Sequence, residues 1–109
     1  MDNTKNDDYY LEKMKNNFDR ILKVMDKVTF DEYTENIDLQ DITMFNLIQI
    51  SENAKNISVE FKEKNQDVSW TDIYGLRNRI VHDYGNVLLD IIYDTLSNDI
   101  PKLYEKLYK

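Results

Sequence analysis

The residues best suited to chemistry in this 109-residue sequence lie in one short stretch, between its two glycines, Gly75 and Gly85. Two of its three arginines, Arg77 and Arg79, precede its only histidine, His82, by five and three residues. Arginine presents a planar fork of N–H donors that matches phosphate oxygens, and histidine exchanges protons near neutral pH. The stretch therefore predicts acid–base chemistry beside a bound phosphate group.

Each of these residues has a structural alternative when it is taken alone. A histidine at a helix end is commonly satisfied by local hydrogen bonds, and either arginine could be a surface partner of a nearby acid: Asp72, Asp83 or Asp90. By the same reasoning, Trp70 is expected to be a core anchor at a helix start, and Glu52 to be one of many solvated acids. Only the combination of residues favours a site.

The combination resembles a known family. Arg77-Asn78-x-x-x-His82 is similar to the Arg-polar-x-x-x-His signature of HEPN ribonucleases, and Tyr84 extends it to the Arg-x-x-x-x-His-x-Tyr form of HepT-like toxins. Trp70 followed by Gly75-Leu-Arg-Asn also resembles the family pattern, and Ser51-Glu52-Asn-Ala resembles its Gly-Glu-Ala stretch, with serine replacing glycine. The resemblance covers most of the chain.

The resemblance implies a homodimeric, metal-independent endoribonuclease without a cofactor, with its cleft between the two subunits. Such a protein is usually neutralised by a minimal nucleotidyltransferase antitoxin, which transfers AMP to the motif tyrosine, here Tyr84. The implied catalytic residues are Arg77 and His82. Asn78 and Glu52 are expected to support them, and Arg79 is a candidate RNA contact.

The implied chemistry is physically consistent. RNA carries its own nucleophile, the 2′-hydroxyl, so its cleavage needs proton transfer and charge stabilisation. His82 can exchange the protons, and Arg77 can stabilise the charge that builds up at phosphorus. One histidine cannot be base and acid at the same moment, so two copies of His82 in a two-fold dimer are expected around one cleft. The products would be a 2′,3′-cyclic phosphate and a 5′-hydroxyl.

Helix geometry leaves the partner of His82 open. At about 100° per residue, a regular helix places His82 roughly 40° from Asn78 and 60° from Arg79, but about 140° from Arg77. The family motif favours Arg77 instead. A long side chain, a distorted last turn or the second subunit could reconcile the two.

The elements that must position these residues are helices, because two glycines and one proline are too few for many short strands. We expect an all-α, antiparallel, HEPN-like bundle of four to five helices, forming a single domain over residues 1–109. The first apolar stripe runs from Leu11 to Val28, and residues 29–36 hold a turn. Asp38 or Asp41 caps a second helix that extends to about Lys64.

A loop over residues 65–68 is expected before the third helix. Ser69 caps that helix, which runs to about Tyr84 and ends at Gly85. Asn86 is the expected cap of the fourth helix. Pro101 predicts a kink or a new short helix after Ile100.

Composition limits the classes of function. A net charge of −7 argues against broad nucleic-acid binding, so any RNA contact must depend on a small, locally basic site. The absence of cysteine excludes a cysteine zinc site. No signal peptide or membrane span is recognisable, so a cytoplasmic location is expected. Two alternatives stay open: a non-catalytic partner or substrate-binding subunit of a nucleotidyltransferase, and a plain dimerisation module.

Overall fold

Helices form all the regular structure in the part of the chain that the computed structural model describes, residues 5–81 and 88–109 apart from the side chains of residues 79 and 81. The prediction of an all-α chain is therefore confirmed. In order, the elements are α1 (Asp7–Val24), α2 (Phe30–Thr34), α3 (Ile37–Ala54), α4 (Val59–Lys64), α5 (Trp70–Val81), α6 (Leu89–Asp94), a π-helical turn (Thr95–Asp99) and α7 (Ile100–Tyr108).

The first long helix, α1, lies antiparallel to α3. The side-chain amide of Asn17 donates to the Oδ1 of Asn46 over 2.9 Å, in the first part of α3. At the other end, the Asp7 carboxylate accepts from the backbone N–H of Ser58, just beyond α3, over 2.8 Å. The later residue of α1, Asn17, thus contacts the first part of α3, and the earlier one, Asp7, contacts the end of α3. The two helices therefore run in opposite directions.

The C-terminal helix is also antiparallel to α1. The Tyr108 hydroxyl donates to the Leu11 carbonyl over 2.8 Å, and the ring centroids of Tyr104 and Phe18 are 6.0 Å apart. Four helical units, namely α1, α3, α5 and the stretch from α6 to α7, thus form a bundle, with α2 and α4 as short helices in its connections. This agrees with the four to five helices predicted.

The core is built from the apolar stripes of these four units. In the second predicted helix, the apolar spacing predicts a buried stripe, and its first four members are buried: Leu47, Ile50, Ala54 and Ile57. Burial of such side chains is the main favourable contribution to folding, about 25 cal/mol per Å² of apolar surface. The largest fully buried apolar residues are Met14, Phe18, Ile21, Tyr33, Leu47, Ile50, Ile73, Ile92, Leu96 and Ile100.

The first helix begins before the predicted apolar stripe, which runs from Leu11 to Val28, and ends before the stripe does. Helix α1 begins four residues before Leu11, because the Asn6 side chain caps it by accepting from the backbone N–H of Tyr9 over 3.1 Å. It ends at Val24, before Val28, and Lys27 has a φ of 60°. A left-handed residue cannot continue a right-handed helix, so Val28 lies outside the helix.

Residues 29–36, predicted as a turn, contain the short helix α2. A capping box starts it: the Thr29 hydroxyl accepts from the backbone N–H of Glu32, and the Glu32 carboxylate accepts from the backbone N–H of Thr29. These hydrogen bonds lower the pKa of Glu32. Helix α3 is capped by Asn36, not by Asp38 or Asp41, because Asn36 accepts from the Leu39 N–H.

The second predicted helix is two helices. Helix α3 ends at Ala54, and α4 begins after Ser58, whose hydroxyl accepts from the backbone N–H of Phe61 over 3.1 Å. The apolar spacing runs through this break because Ile57 is buried in the connecting turn. For this reason, the apolar spacing in the sequence did not predict that α3 ends at Ala54.

The third helix begins at Trp70, as predicted, after the predicted loop at residues 65–68. Its predicted end, from Tyr84 to Gly85, lies outside the described residues. The predicted cap at Asn86 also lies outside them, and α6 begins at Leu89 with Leu88 as its N-cap residue.

Pro101 is accommodated without a break between α6 and α7. Proline has no N–H to donate to the carbonyl four residues earlier, and its ring collides with that carbonyl in a regular α-helix. Here the preceding turn is π-helical, and Ile100 N–H donates to the Thr95 carbonyl, five residues earlier. The wider turn removes the conflict.

A buried chain of hydroxyl groups provides a test of the core. The Tyr33 hydroxyl lies 2.8 Å from the Thr43 Oγ1, which itself donates to the Leu39 carbonyl over 2.9 Å, so Tyr33 is the donor to Thr43. Burial raises the pKa of Tyr33, which keeps the hydroxyl protonated. We expect Tyr33→Phe to lower the free energy of unfolding in urea by about 0.5–1.5 kcal/mol.

Thr43→Val should lower the unfolding free energy more, by about 1–3 kcal/mol, because it leaves the buried Tyr33 hydroxyl without an acceptor. The double variant is the control, and it should lose less than the sum of the two single losses. Additive losses would contradict the chain of hydrogen bonds.

Candidate functional site

The C-terminal half of α3 packs against α5, and this contact positions the candidate site. The hydroxyl of Ser51 is fully buried and donates to the backbone carbonyl of Tyr74 over 3.1 Å. Ile50 on α3 and Ile73 on α5 are also fully buried. A buried hydrogen bond within an apolar contact fixes the lateral position of the two helices.

Glu52, the next residue on α3, holds Arg77 of α5. The Arg77 Nε lies 2.8 Å from Glu52 Oε1, so the two side chains form a close ion pair. The Nζ of Lys55 lies 3.8 Å from the same oxygen. The side chains of Arg77 and Glu52 are 40% and 44% exposed, so the pair lies at the surface. Glu52, predicted as a supporting residue, therefore contacts the predicted catalytic arginine.

The geometry of this pair leaves most of the guanidinium free. Glu52 approaches Arg77 most closely at the Nε, and the terminal nitrogens of Arg77 make no hydrogen bond to a described residue. Those two nitrogens form the fork that binds two oxygens of a phosphate or carboxylate. Arg77 can therefore bind an anion while Glu52 restrains its side chain.

The other predicted site residues are only partly described. Asn78 lies on α5 with its side chain exposed. Arg79 belongs to the same helix, but its side chain lies outside the described part of the structure. His82 and Tyr84 also lie outside the described residues. The structure thus brings Arg77 and Glu52 together, while the roles of the six predicted residues stay predictions.

The sequence offered Asp72, Asp83 or Asp90 as surface partners for either arginine, and for Arg77 the described acids give a different one. Its partner is Glu52, not Asp72 on its own helix or Asp90 on α6. Asp72 is five residues before Arg77, a spacing that places the two on different faces of α5. Glu52 is distant in sequence, and only the packing of α3 on α5 brings it close.

Sequence reasoning missed a second basic residue beside α5. The Nζ of Lys62, on α4, lies 4.9 Å from the ring centroid of Tyr74 and 5.7 Å from that of Trp70. Trp70 and Tyr74 are one helical turn apart, which was a signal for a shared aromatic surface. The sequence could not place Lys62 there, because a loop of undetermined path separates α4 from α5.

Trp70 itself is the core anchor that was predicted. It is only 9% exposed, its indole N–H donates to the Asn65 carbonyl over 3.1 Å, and its ring packs edge-on against Phe61. The indole therefore ties the start of α5 to the end of α4.

Comparison with known proteins matches residues 14–109 to the family model described as Ribonuclease HepT-like. The chain belongs to the HepT-like ribonuclease family. The matched range includes Glu52 and Arg77, which the structure brings together, and His82 and Tyr84. No solved structure matches this chain.

Relatives of this HepT-like chain carry ribonuclease names. A protein named "Putative RNase" from Caldanaerobacter subterraneus subsp. tengcongensis is 30% identical over 94 residues, which cover 86% of this chain and 84% of the relative. A protein named "Probable ribonuclease HepT" from Thermococcus cleftensis is 31% identical, with 72% of this chain and 83% of the relative covered. A "Putative RNase" from Methanocaldococcus jannaschii is also 31% identical, covering 84% of this chain and 72% of its own length.

Neither a metal-binding cluster nor a membrane-spanning helix is present among the described residues. They contain no group of three or more histidine, cysteine, aspartate or glutamate side chains placed to hold a metal ion. None of the helices in residues 5–81 and 88–109 is long and apolar enough to cross a membrane.

Proposed function

We propose that this HepT-like protein is a metal-independent endoribonuclease whose catalytic residues are Arg77 and His82. The observation that carries the proposal is the restrained guanidinium of Arg77, held through its Nε by Glu52 with its phosphate-binding fork unoccupied by any described residue. His82 follows five residues later in the chain, and the family match covers both residues.

The reaction needs two proton transfers and one stabilised charge. The 2′-hydroxyl of a ribose attacks the adjacent phosphorus as a base removes its proton. The bond from phosphorus to the 5′-oxygen then breaks, and an acid protonates the leaving oxygen. The fork of Arg77 stabilises the charge on the non-bridging oxygens, and the imidazole of His82 exchanges the protons. The products are a 2′,3′-cyclic phosphate and a 5′-hydroxyl.

A homodimer provides the second proton-transfer group. Each chain has one histidine, so two copies of His82 around a shared cleft can act as base and acid in the same turnover. An exposed apolar residue supports α3 as part of the contact. Phe45 is 60% exposed and lies two turns before Glu52, within about 20° of it on the helix. A second copy covering this face would shield Phe45 from water.

Regulation by a minimal nucleotidyltransferase antitoxin completes the proposal. The antitoxin transfers AMP from ATP to the hydroxyl of Tyr84, two residues after His82, and pyrophosphate is released. The attached nucleotide adds bulk and a negative phosphate next to the catalytic imidazole in sequence. Both effects oppose the binding of an RNA phosphate, so the modified toxin is inactive.

RNA cleavage is the direct test of the enzymatic proposal. Purified wild-type protein should cut single-stranded RNA in the presence of EDTA, with 2′,3′-cyclic phosphate ends identified by mass spectrometry. His82→Ala should slow cleavage by about 10²–10⁴-fold, because it removes the proton-transfer group. Activity should be measured beside circular dichroism to show that the variant is folded.

Two results would overturn this proposal. One is equal cleavage by wild type and His82→Ala, which would indicate a contaminating nuclease. The other is no cleavage by either protein, which would favour the alternative of a non-catalytic partner or substrate-binding subunit of a nucleotidyltransferase. Growth arrest that depends on His82 would separate these functions in cells, because only the ribonuclease predicts it.

Modification at Tyr84 has its own test. Co-expression with a neighbouring minimal nucleotidyltransferase should add AMP to Tyr84, detected by peptide mass spectrometry, and should remove ribonuclease activity. Tyr84→Phe lacks the acceptor hydroxyl and should stay unmodified and active. Equal AMP incorporation into Tyr84→Phe would assign the modification to another of the eight tyrosines.

A further inference from the structure

The position of Lys62 extends the positive surface around Arg77. Tyr74 and Arg77 are three residues apart on α5, so their Cα atoms are separated by about 4.5 Å along the helix axis and about 60° around it. The Nζ of Lys62 lies 4.9 Å from the Tyr74 ring centroid. A second cation therefore lies beside α5 at Tyr74, which is about one turn before Arg77 along the helix.

The two rings restrain Lys62 without neutralising it. A lysine side chain has many rotamers, and contact with the faces of Tyr74 and Trp70 favours one arrangement. The ion pairs among the described residues do not include Lys62, whereas Lys15 and Lys55 both pair with carboxylates. An aromatic ring carries no net charge, so the ammonium group keeps its attraction for an external anion.

Lys62 adds positive charge to the surface near Arg77. Glu52 offsets one of the two charges of Arg77 and Lys55, which leaves these three residues with a net charge of about +1. Adding Lys62 brings the sum over these four residues to about +2, in a chain whose net charge is −7. An RNA backbone that follows α5 would meet Arg77 at one phosphate and Lys62 about one turn away.

We propose that Lys62, held over the rings of Tyr74 and Trp70, is a phosphate-binding residue that holds the RNA strand beside the phosphate bound by Arg77. This inference rests on the proposed function, since it takes single-stranded RNA as the substrate. Lys62 binds the backbone and touches no reacting atom. It therefore contributes to affinity for RNA of any sequence.

Lys64 is a matched control on the same helix. It is two residues after Lys62, about 200° around α4, and it lines a groove with Lys5, Asp7 and Glu60 at the start of α1. Both residues are lysines on one short helix, so their substitution by alanine changes the net charge equally. Only Lys62 contacts the rings beside Arg77.

The test is the salt dependence of RNA binding. The probe is a fluorescein-labelled oligonucleotide of mixed sequence with 2′-O-methyl groups throughout, which has no 2′-hydroxyl nucleophile and stays intact. Anisotropy titrations across a range of salt concentrations give the slope of log affinity against log salt. Losing one phosphate contact to a single strand should reduce this slope by about 0.7. The ratio of wild-type to Lys62→Ala affinity should then fall about fivefold for each tenfold rise in salt.

Lys62→Arg should retain the wild-type slope, because it keeps the charge, and Lys64→Ala should retain it as well. Equal slopes for Lys62→Ala and Lys64→Ala would overturn the inference, as would a wild type that does not bind the probe. Because the probe cannot be cleaved, its binding tests the role of Lys62 independently of the nuclease proposal. Unchanged RNA cleavage in His82→Ala would overturn the nuclease and leave the Lys62 result standing.

Discussion

The ion pair between Glu52 and Arg77 is the interaction on which the site depends. It joins α3 to α5 at the surface, immediately beside the buried hydrogen bond from Ser51 to the Tyr74 carbonyl. Both side chains are about two-fifths exposed, so the pair contributes little to the stability of the fold, on the order of 0–1 kcal/mol. The pair instead affects orientation, because it restrains the flexible side chain of Arg77 and leaves its terminal nitrogens available to an anion.

Local charge decides how an acidic protein can act on RNA. A chain with a net charge of −7 repels nucleic acid over most of its surface, so affinity must come from a few concentrated cations. Arg77, Lys55 and Lys62 form such a group beside α5. The positive charge of such a small site is also easily neutralised. With Glu52 included, the net charge of this group is about +2, so the AMP phosphate of the proposed modification would offset about half of it.

Much of this architecture could be predicted from the sequence, because helical periodicity and scarce turn residues are local signals. The start of α5 at Trp70 and the buried stripe of α3 followed from them. The break after Ala54 did not, because Ile57 continues the apolar spacing through a turn. Helix α2 was missed although Thr29 and Glu32 have capping-box spacing, because five residues are too few to show periodicity.

The candidate site, too, could be predicted from the sequence only in part. The types and spacing of Arg77 and His82 are visible in sequence, and the family resemblance singled out Glu52. That Glu52 pairs with Arg77 through its Nε depends on the packing of two helices, which no local pattern encodes. The place of Lys62 depends on the path of the loop between α4 and α5, for the same reason.

The most direct test of the central claim is a double-mutant cycle on single-turnover RNA cleavage with Glu52→Gln, Arg77→Gln and the double variant. Glu52→Gln should slow cleavage about tenfold or more, while the free energy of unfolding changes by less than about 1 kcal/mol. The double variant should cut no more slowly than Arg77→Gln alone, because Glu52 acts through Arg77. Losses that multiply in the double variant would show that the two residues act independently and would contradict this account.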